Sequence, residues 1–455
     1  MPTSRFFEIP EILILVASFL SPSRQVSCTR VCTYWYQTLQ HLVWKEIRIG
    51  TSYSRQPELR DVLKHKDHIK SVRIFNTCQQ DTLTSTIWET IMQLTQLKSL
   101  SMENLYVDEG TIDFIWDLCE RVEQLGLWQV SFATLGNLDS RKPFSRIRHL
   151  DLRNAKLDQR LFSDNVELLK RCPNMEFLVW PEKLRRGKVI DGFIQLAVDG
   201  TWPALESVWK FYFPISDDNQ ARVLRSMKRI TGWNVRWFGP KGFQVLRHHF
   251  TTLKELHLSG CKDGVTSEML QEVLSSCPLL VTVSWARINA VDIVCGRPWV
   301  CTKMEDLDMT IVFDPEETDR LQPLVFEQLS KLTALEYFDL SGRAIAADMD
   351  SSRGGEDEDL SDIGDSFHRY AKLMPYKRSI DLRLEMGLDK LATLRLLKRL
   401  RFLGTTQRIG KDEVEWMLKS WKCLNGVRGR LDGNQDANAE LVEMFTKQGI
   451  SCVYR

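Results

Sequence analysis

Apolar and polar residues alternate over a short stretch near the middle of the chain and then change to a helical spacing. Residues 253–261 read Leu-Lys-Glu-Leu-His-Leu-Ser-Gly-Cys, so that Leu256 and Leu258 alternate with polar neighbours. A β-strand buries such leucines on one face and exposes the polar side chains on the other. Thr266 then stands where a helix cap is expected. Apolar residues follow at helical spacing at Met269, Leu270, Val273, Leu274 and Cys277. The stretch therefore predicts a strand, a turn and a helix in succession.

The same spacing recurs along the chain, with a first residue followed by apolar ones three and five positions later. The copies begin at Ile69, Leu97, Val122, Ile147, Met175, Leu205, Ile230, Leu280, Met304, Leu335, Lys377 and Leu397. The copy at Leu205 is poorer than the others, because Lys210 stands at its third position. Proline, which cannot continue a helix, stands two residues before Met175, Leu205, Leu280 and Lys377. The pattern L-x-x-L-x-L-x-x-C is the signature of leucine-rich repeats, whose units bury their apolar faces by stacking on one another. We therefore predict an α/β leucine-rich-repeat solenoid with an irregular, parallel, concave sheet.

A short helical segment precedes the repeats. The apolar run over residues 9–20 carries Glu11, which disfavours a signal peptide and favours a helix. A second apolar segment covers residues 26–39, and residues 47–49 are expected to form the first repeat strand. So short a segment builds only a very small core, so it should pack against the repeats or against a partner.

Residues 6–46 resemble the F-box. The shared features are Ile9-Pro10, an apolar helix ending at Leu20, a turn at Pro22, Val31-Cys32 with Trp35, and Leu42 with Trp44-Lys45. Ile9 replaces the usual leucine, and Ser23-Arg24 stand in place of the usual aspartate. Together with the repeats that follow, these features make the whole chain resemble the F-box/leucine-rich-repeat family.

The resemblance implies a substrate receptor of an SCF ubiquitin ligase, whose F-box docks on a Skp-family adaptor and through it on a cullin scaffold. It also implies that the adaptor contact is formed or supported by Ile9, Pro10, Leu13, Val16, Leu20, Val31, Trp35 and Trp44. For Leu13 and Trp35, a purely internal role in the helical core stays open. The alternative function is a protein-binding adaptor that uses its F-box outside a cullin ligase, as a scaffold without ubiquitination.

The sequence predicts three parts, an F-box over residues 1–46, the solenoid over 47–430 and a C-terminal helical cap over 431–455. The cap is expected because a solenoid needs an end unit with a polar outer face. Helix-like segments at 411–421 and 437–448 can supply that unit.

One segment interrupts the repeats. Residues 347–366 contain eight acidic residues, one arginine and almost no apolar side chains, so we expect a disordered insert there. The insert is interpreted either as a solvated loop or as a regulator phosphorylated at Ser351, Ser352 or Ser361.

Composition excludes several other classes of protein. The net charge of +1 disfavours a nucleic-acid-binding surface. The 11 cysteines include no C-x-x-C pair, which favours reduced thiols and a cytoplasmic or nuclear location. No apolar run reaches the roughly 18–20 residues of a membrane span, so no membrane partner is expected.

We expect neither a cofactor nor a metal, and no enzymatic activity. The chain contains no phosphate-binding loop and no hydrolase motif. The histidines of His65-x-x-His68 lack the cysteine or carboxylate company that zinc requires. An enzyme that carries ubiquitin on a cysteine is disfavoured because no cysteine has a recognisable His/Asp setting.

The substrate surface is predicted on the concave sheet. Residues that flank the buried positions of each strand face solvent, and large aromatics there are typical of interaction sites. The candidate substrate-binding residues are Trp128, Arg153, Phe177, Trp209, Phe211 and Arg236. The arginines can bind a carboxylate or phosphate with two hydrogen bonds, so we predict an apolar and acidic recognition segment. Burial of the aromatics under irregular loops is the other interpretation.

Overall fold

The structure is a computed structural model of the 455-residue chain. It describes residues 9–50, 57–75, 85–136, 138–153, 155, 162–179, 187–211, 216–235, 238–258, 264–341, 379–403, 405 and 407–453. At a few of these positions, including Trp209 and Phe211, only the backbone is described. The chain divides into two compact units, Met1–Leu205 and Glu206–Arg455. The predicted insert at 347–366 lies outside the described residues.

The first unit begins with three helices, α1 (Pro10–Ser18), α2 (Pro22–Thr29) and α3 (Thr33–Val43). Proline opens both α1 and α2, where its missing amide hydrogen is not needed and its fixed φ angle favours the first turn. Leu13 and Ala17, one turn apart on α1, bury their side chains against Leu39 of α3. Partly buried side chains of Ile14, Cys28, Trp35 and Leu42 pack around this small core.

Strands and helices of the repeats complete the first unit. The strands are β1 (Glu46–Gly50), β2 (Ser71–Phe75), β3 (Ser99–Glu103), β4 (Tyr106–Val107), β5 (Gln124–Trp128), β6 (Ser131–Phe132), β7 (His149–Asp151) and β8 (Phe177–Val179). The helices are α4 (Leu59–Lys64), α5 (Ser85–Met92), α6 (Glu109–Cys119), α7 (Phe162–Lys170) and α8 (Gly187–Val198). The sheet order is β1-β2-β3-β5-β7-β8, with parallel neighbours, and β4 pairs with β6 in a small second sheet.

The register of this sheet follows the repeat pattern. Val72, Leu100, Leu125 and Leu150 face one another on successive strands, and all four are fully buried. Each lies three residues after the start of its copy, so the sequence spacing sets which residues stack.

The described residues of the second unit form nine strands in sequence order, all parallel. The strands are β9 (Ser207–Phe211), β10 (Gly232–Val235), β11 (Glu255–His257), β12 (Thr282–Asn289), β13 (Asp306–Val312), β14 (Tyr337–Asp339), β15 (Arg399–Arg401), β16 (Gly426–Arg428) and β17 (Ser451–Val453). The helices are α9 (Asp217–Ser226), α10 (Pro240–Leu246), α11 (Ser267–Ser276), α12 (Ala290–Cys295), α13 (Thr318–Leu329), α14 (Lys411–Ser420) and α15 (Gln435–Lys447). Thr266 caps α11 as predicted, since its Oγ1 accepts a hydrogen bond from the Met269 amide at 3.2 Å. The predicted fold class, an all-α segment followed by α/β leucine-rich repeats, is confirmed.

The predicted repeat at Lys377 is wrong. β14 pairs directly with β15, so no strand lies between them. Ile380 and Leu382 are buried as the pattern predicted. The backbone of Asp381, however, forms hydrogen bonds with a side chain and not with a neighbouring strand. Its amide donates to Gln322 Oε1 at 2.8 Å, and its carbonyl accepts from Gln322 Nε2 at 2.6 Å. A side chain of α13 therefore takes the hydrogen bonds that a neighbouring strand would otherwise make.

The copy at Leu280 contains a β-bulge that shifts its last apolar position. Val283 pairs with Leu307 and Ala286 pairs with Met309, so two residues of β12 face one residue of β13. Ala286 is therefore buried in the place that the spacing assigns to Trp285. Trp285 itself takes a left-handed backbone with φ +62°, a conformation that bulky residues rarely adopt.

The C-terminal tail contains both predicted helices, α14 and α15, with Gly449 at φ +73° just beyond the second. It also contains two strands that the sequence did not predict, because β16 pairs with β15 and β17 pairs with β16. The predicted helical cap over 431–455 therefore includes a strand of the sheet as well. The repeat pattern continues to the end of the described chain.

Candidate interaction surfaces

Many apolar side chains of the three N-terminal helices lie outside their core. Phe19 is 82% exposed, Val31 is 62% exposed and Leu15 is 59% exposed. The other exposed large apolar side chains of this region are Ile9, Val16, Val26, Tyr34 and Tyr36. Single exposed apolar residues are ordinary, but so many in one small domain are typical of a surface that binds another protein.

The predicted adaptor residues occupy different places in this domain. Ile9, Pro10, Val16 and Val31 are exposed, and Leu20 is half-buried. Leu13 lies in the helical core, and Trp35 packs against that core, so both residues support the helices that carry the exposed side chains. Leu15 and Phe19 were missed by the sequence analysis. Their spacing of four residues, which places them on one face of the α1 region, could have identified them.

Trp44 occupies the junction between the helical domain and the first repeat. Its ring stacks on His65 with the ring centroids 4.4 Å apart, and Tyr36 Oη lies 3.2 Å from His65 Nε2. Burial lowers the pKa of His65, and the positive charge of Lys64 acts in the same direction. The contact holds α3 against the segment that follows α4.

The face of the first unit's sheet that lies opposite the buried side chains presents Trp128 to solvent. Leu125 and Leu127 of β5 are buried, whereas Trp128 is 41% exposed. The Arg153 guanidinium carbon lies 5.4 Å from the centroid of the Trp128 ring, a cation–π contact. Arg153 also donates to Asp151 Oδ2 from Nε at 2.9 Å and from Nη2 at 2.6 Å. An incoming carboxylate therefore competes with Asp151 for this guanidinium.

Phe177 is half-buried on the same face. It stacks on His149, its register partner on β7, with ring centroids 4.2 Å apart. Burial lowers the pKa of His149, so its imidazole stays neutral near pH 7. The pair forms a flat aromatic platform on the strands next to β5.

The other three predicted substrate residues lie in the second unit. Trp209 and Phe211 belong to β9, but their side chains are not described, and Arg236 lies outside the described residues. Of the predicted site, the structure thus brings Trp128 and Arg153 into contact and places Phe177 two strands from Trp128.

Polar side chains that flank the buried positions of β11–β13 are partly desolvated. Burial lowers the pKa of His257 to about 4 and raises the pKa of Glu255. Burial also raises the pKa of Asp306, helped by the nearby charge of Asp339. These shifts reflect removal from water.

The buried cysteine thiols are poor candidates for catalysis. Burial raises the pKa of Cys172 and of Cys301 to about 12, and it raises the pKa of Cys119 and Cys277 as well. A protonated, buried thiol is a weak nucleophile. In the part of the chain that the structure describes, no group of three or more His, Cys, Asp or Glu residues could hold a metal ion. No described helix is both long enough and apolar enough to span a membrane.

Comparison with known proteins identifies the helical domain. Residues 10–50 match the F-box-like family model. A search of curated proteins finds no match. Among solved structures, the chain is similar to an internalin (inlF) from Listeria monocytogenes, with 11% identity, a TM-score of 0.34, and coverage of 97% of this chain and 93% of that one.

Two further solved structures are similar to the chain. The leucine-rich-repeat ectodomain of the Arabidopsis thaliana receptor kinase GASSHO1/SCHENGEN3 has 12% identity and a TM-score of 0.33, covering 92% of this chain and 48% of that one. The leucine-rich repeat-containing protein LegL7 from Legionella pneumophila has 10% identity and a TM-score of 0.31, covering 64% of this chain and 88% of that one.

The class of protein follows from the matched domain and from the repeats of this structure itself. An F-box-like domain is followed by parallel strand–helix units with the spacing and register of leucine-rich repeats. The chain therefore combines an F-box-like domain with leucine-rich repeats. Both parts are modules that typically bind other proteins without catalysing a reaction, so the chain is a protein-interaction adaptor.

Proposed function

We propose that the chain is the substrate-recognition subunit of an SCF-type ubiquitin ligase. The F-box-like domain docks a Skp-family adaptor, which connects the chain to a cullin scaffold in the cytoplasm or nucleus. The repeats bind a protein substrate, and other subunits carry the chemistry of ubiquitin transfer. The observation that carries this proposal is the exposure of Leu15, Phe19 and Val31 in a domain that matches the F-box.

The energetics of the helical domain support docking. Its fully buried side chains are Leu13, Ala17 and Leu39, which is a small core for three helices. Burying the exposed apolar side chains against a partner releases about 25 cal/mol for each Å² removed from water. F-box domains generally bind Skp-family adaptors, so such an adaptor is the partner that this surface fits.

We propose that substrate binds the sheet face of the first unit that carries Trp128, Arg153 and Phe177. Trp128 supplies exposed aromatic area, and Phe177 on its His149 platform extends it. Arg153 adds a cation that Asp151 and the Trp128 ring hold in position. An apolar segment that also carries a carboxylate or phosphate fits these groups. Trp209, Phe211 and Arg236, in the second unit, stay separate candidate substrate-binding residues.

The adaptor contact is tested by co-purification of full-length chain with a Skp-family adaptor. In the test variant, Leu15, Phe19 and Val31 are each replaced by serine. In the control, serine replaces Tyr106 and Val198, which are 45% and 39% exposed in the repeats of the same unit. We expect the control to retain the adaptor and the test variant to lose it with unchanged circular dichroism. Retention of the adaptor by the test variant contradicts the proposal.

A further inference from the structure

Three arginines lie together on one face of the sheet in the second unit. Arg399 and Arg401 flank the buried Leu400 on β15, and Arg428 is two residues from Gly426, across the buried Val427. Because side chains alternate along a strand, the arginines project on the face opposite to the buried residues. Tyr337 of β14 is in register with Arg399 and is exposed on the same face.

The three arginines differ in their partners. Arg401 Nε lies 3.3 Å from Asp339 Oδ2, and Asp339 Oδ1 accepts a hydrogen bond from the Ser341 amide at 2.9 Å. The guanidinium carbon of Arg399 lies 5.5 Å from the centroid of the Tyr337 ring. Within the described part of the chain, neither Arg399 nor Arg428 forms an ion pair with a carboxylate. Positive charge therefore exceeds negative charge on β15 and β16.

The strand register concentrates this charge. Arg401 is the direct partner of Arg428, so two like charges lie on neighbouring strands about 5 Å apart. Gly426 is the direct partner of Arg399 and places no side chain over the sheet. A Cβ atom at Gly426 would lie 3.6 Å from the Arg399 side chain, which is an ordinary contact. A side chain could therefore be accommodated at position 426. The missing side chain leaves the sheet surface beside Arg399 open.

We propose that this face binds an acidic segment of a partner protein in extended conformation, with carboxylates on Arg399 and Arg428. Arginine binds a carboxylate with two parallel hydrogen bonds, and the Tyr337 ring restrains one of the two guanidinium groups. Such a segment also relieves the repulsion between Arg401 and Arg428. The inference rests on the proposed role of the repeats as a partner-binding surface, and it adds a second place on that surface with its own ligand chemistry.

The surroundings favour a short acidic segment over a long polyanion. Asp306 and Asp308 lie on β13, one strand beyond Tyr337, and Asp339 lies on β14. These carboxylates repel a nucleic acid that extends across the sheet. The basic strip is therefore only two strands wide, which suits a few carboxylates in a row.

The test uses full-length chain and a fluorescein-labelled peptide of alternating Glu and Gly, with the matching Gln peptide as the neutral probe. Fluorescence anisotropy should detect binding of the Glu peptide that weakens with added salt and no binding of the Gln peptide. Arg399→Gln and Arg428→Gln should each weaken binding about tenfold, since each removes a charge-assisted hydrogen bond. Arg222→Gln, an exposed arginine on α9, removes the same charge elsewhere and should leave binding unchanged.

Three results overturn the inference. The first is equal binding of the Glu peptide to wild type and to both arginine variants. The second is equally tight binding of a single-stranded oligonucleotide, lost in the same variants, which indicates a general polyanion site. The third is peptide binding that appears only when residues 348–365 are replaced by a Gly/Ser linker, which indicates that the chain's own acidic stretch occupies the face. All variants should still bind the Skp-family adaptor, so failure here is distinguishable from failure of the proposed function.

Discussion

Substitution of Phe19, just after α1, and of Leu13, within α1, should affect adaptor binding and stability in different ways. Phe19 is 82% exposed, whereas Leu13 is 1% exposed. Phe19→Ala should weaken adaptor binding without unfolding the helices, because a surface truncation costs at most about 0.5 kcal/mol of stability. Leu13→Ala should instead destabilise the helices by about 2–5 kcal/mol, because it opens a cavity in the core.

The size of the Phe19 effect follows from its exposed area. A buried Phe side chain covers about 200 Å², so 82% exposure leaves about 160 Å² that docking can remove from water, worth about 4 kcal/mol. Alanine retains part of this contact, and ordering the complex offsets part of the gain. We therefore expect a loss of about 2–3 kcal/mol, or about 30- to 150-fold in Kd.

Isothermal titration calorimetry with a purified Skp-family adaptor measures this loss, and hydrogen exchange of residues 10–43 reports the folding of the three helices. Tyr106→Ala, on β4 of the repeats, is the matched control and should bind as wild type does. Wild-type affinity in Phe19→Ala, with the helices protected, would refute the docking surface. Loss of helix protection in Phe19→Ala would show that Phe19 belongs to the core.

Three further predictions concern the repeats. Trp128→Ala should weaken substrate capture by about 2 kcal/mol or more while adaptor affinity and melting temperature stay unchanged, and an equal loss of stability would assign Trp128 to the core. Replacing residues 348–365 by a short Gly/Ser linker should leave the melting temperature almost unchanged, because closure entropy varies slowly with loop length, and a large drop would show that this stretch packs. The folded-state pKa of His257, about 4, lies below its ordinary value of 6.5, so the unfolded state binds more protons between these values. Stability should therefore fall as pH decreases from about 6.5 to 4, by at most about 3 kcal/mol for this group, and urea titrations of His257→Gln should show a weaker dependence in that window.

The repeat spacing predicted the strands because it reflects what each strand must bury. Leu253 and Leu256 are buried as predicted, and the Thr266 cap forms. The spacing failed at Trp285 because a bulge inserts one residue and moves the buried position to Ala286. The spacing also failed at Ile380 and Leu382, because buried residues form a strand only when their backbone pairs with another strand. The Gln322 side chain takes both backbone hydrogen bonds of Asp381, which lies between them.

The copy that forms β16 was missed for a different reason. Leu424 and Val427 fit its first two positions, but Gly429 stands at the third. Gly429 has φ +146°, and the Phe402 ring occupies the space that a side chain there would need. An apolar residue from the preceding repeat thus fills the third position, which a pattern read within one repeat does not detect.

The candidate sites were predicted less completely than the fold. Exposure of Trp128 followed from the alternation along its strand, but its contact with Arg153 depends on the next strand. Trp44 stacks on His65 at the junction, a contact between segments that no local pattern contains. Arg401 and Arg428 are distant in sequence and meet only through strand register.

We propose that the chain recruits a cullin through its F-box-like domain, and quantitative purification of the full-length chain from cells tests this recruitment most directly. We expect the Skp-family adaptor and a cullin to be recovered together with wild type and both to be lost in the variant with serine at positions 15, 19 and 31. Recovery of the adaptor without any cullin would contradict the account and would favour a scaffold that uses its F-box outside a ubiquitin ligase.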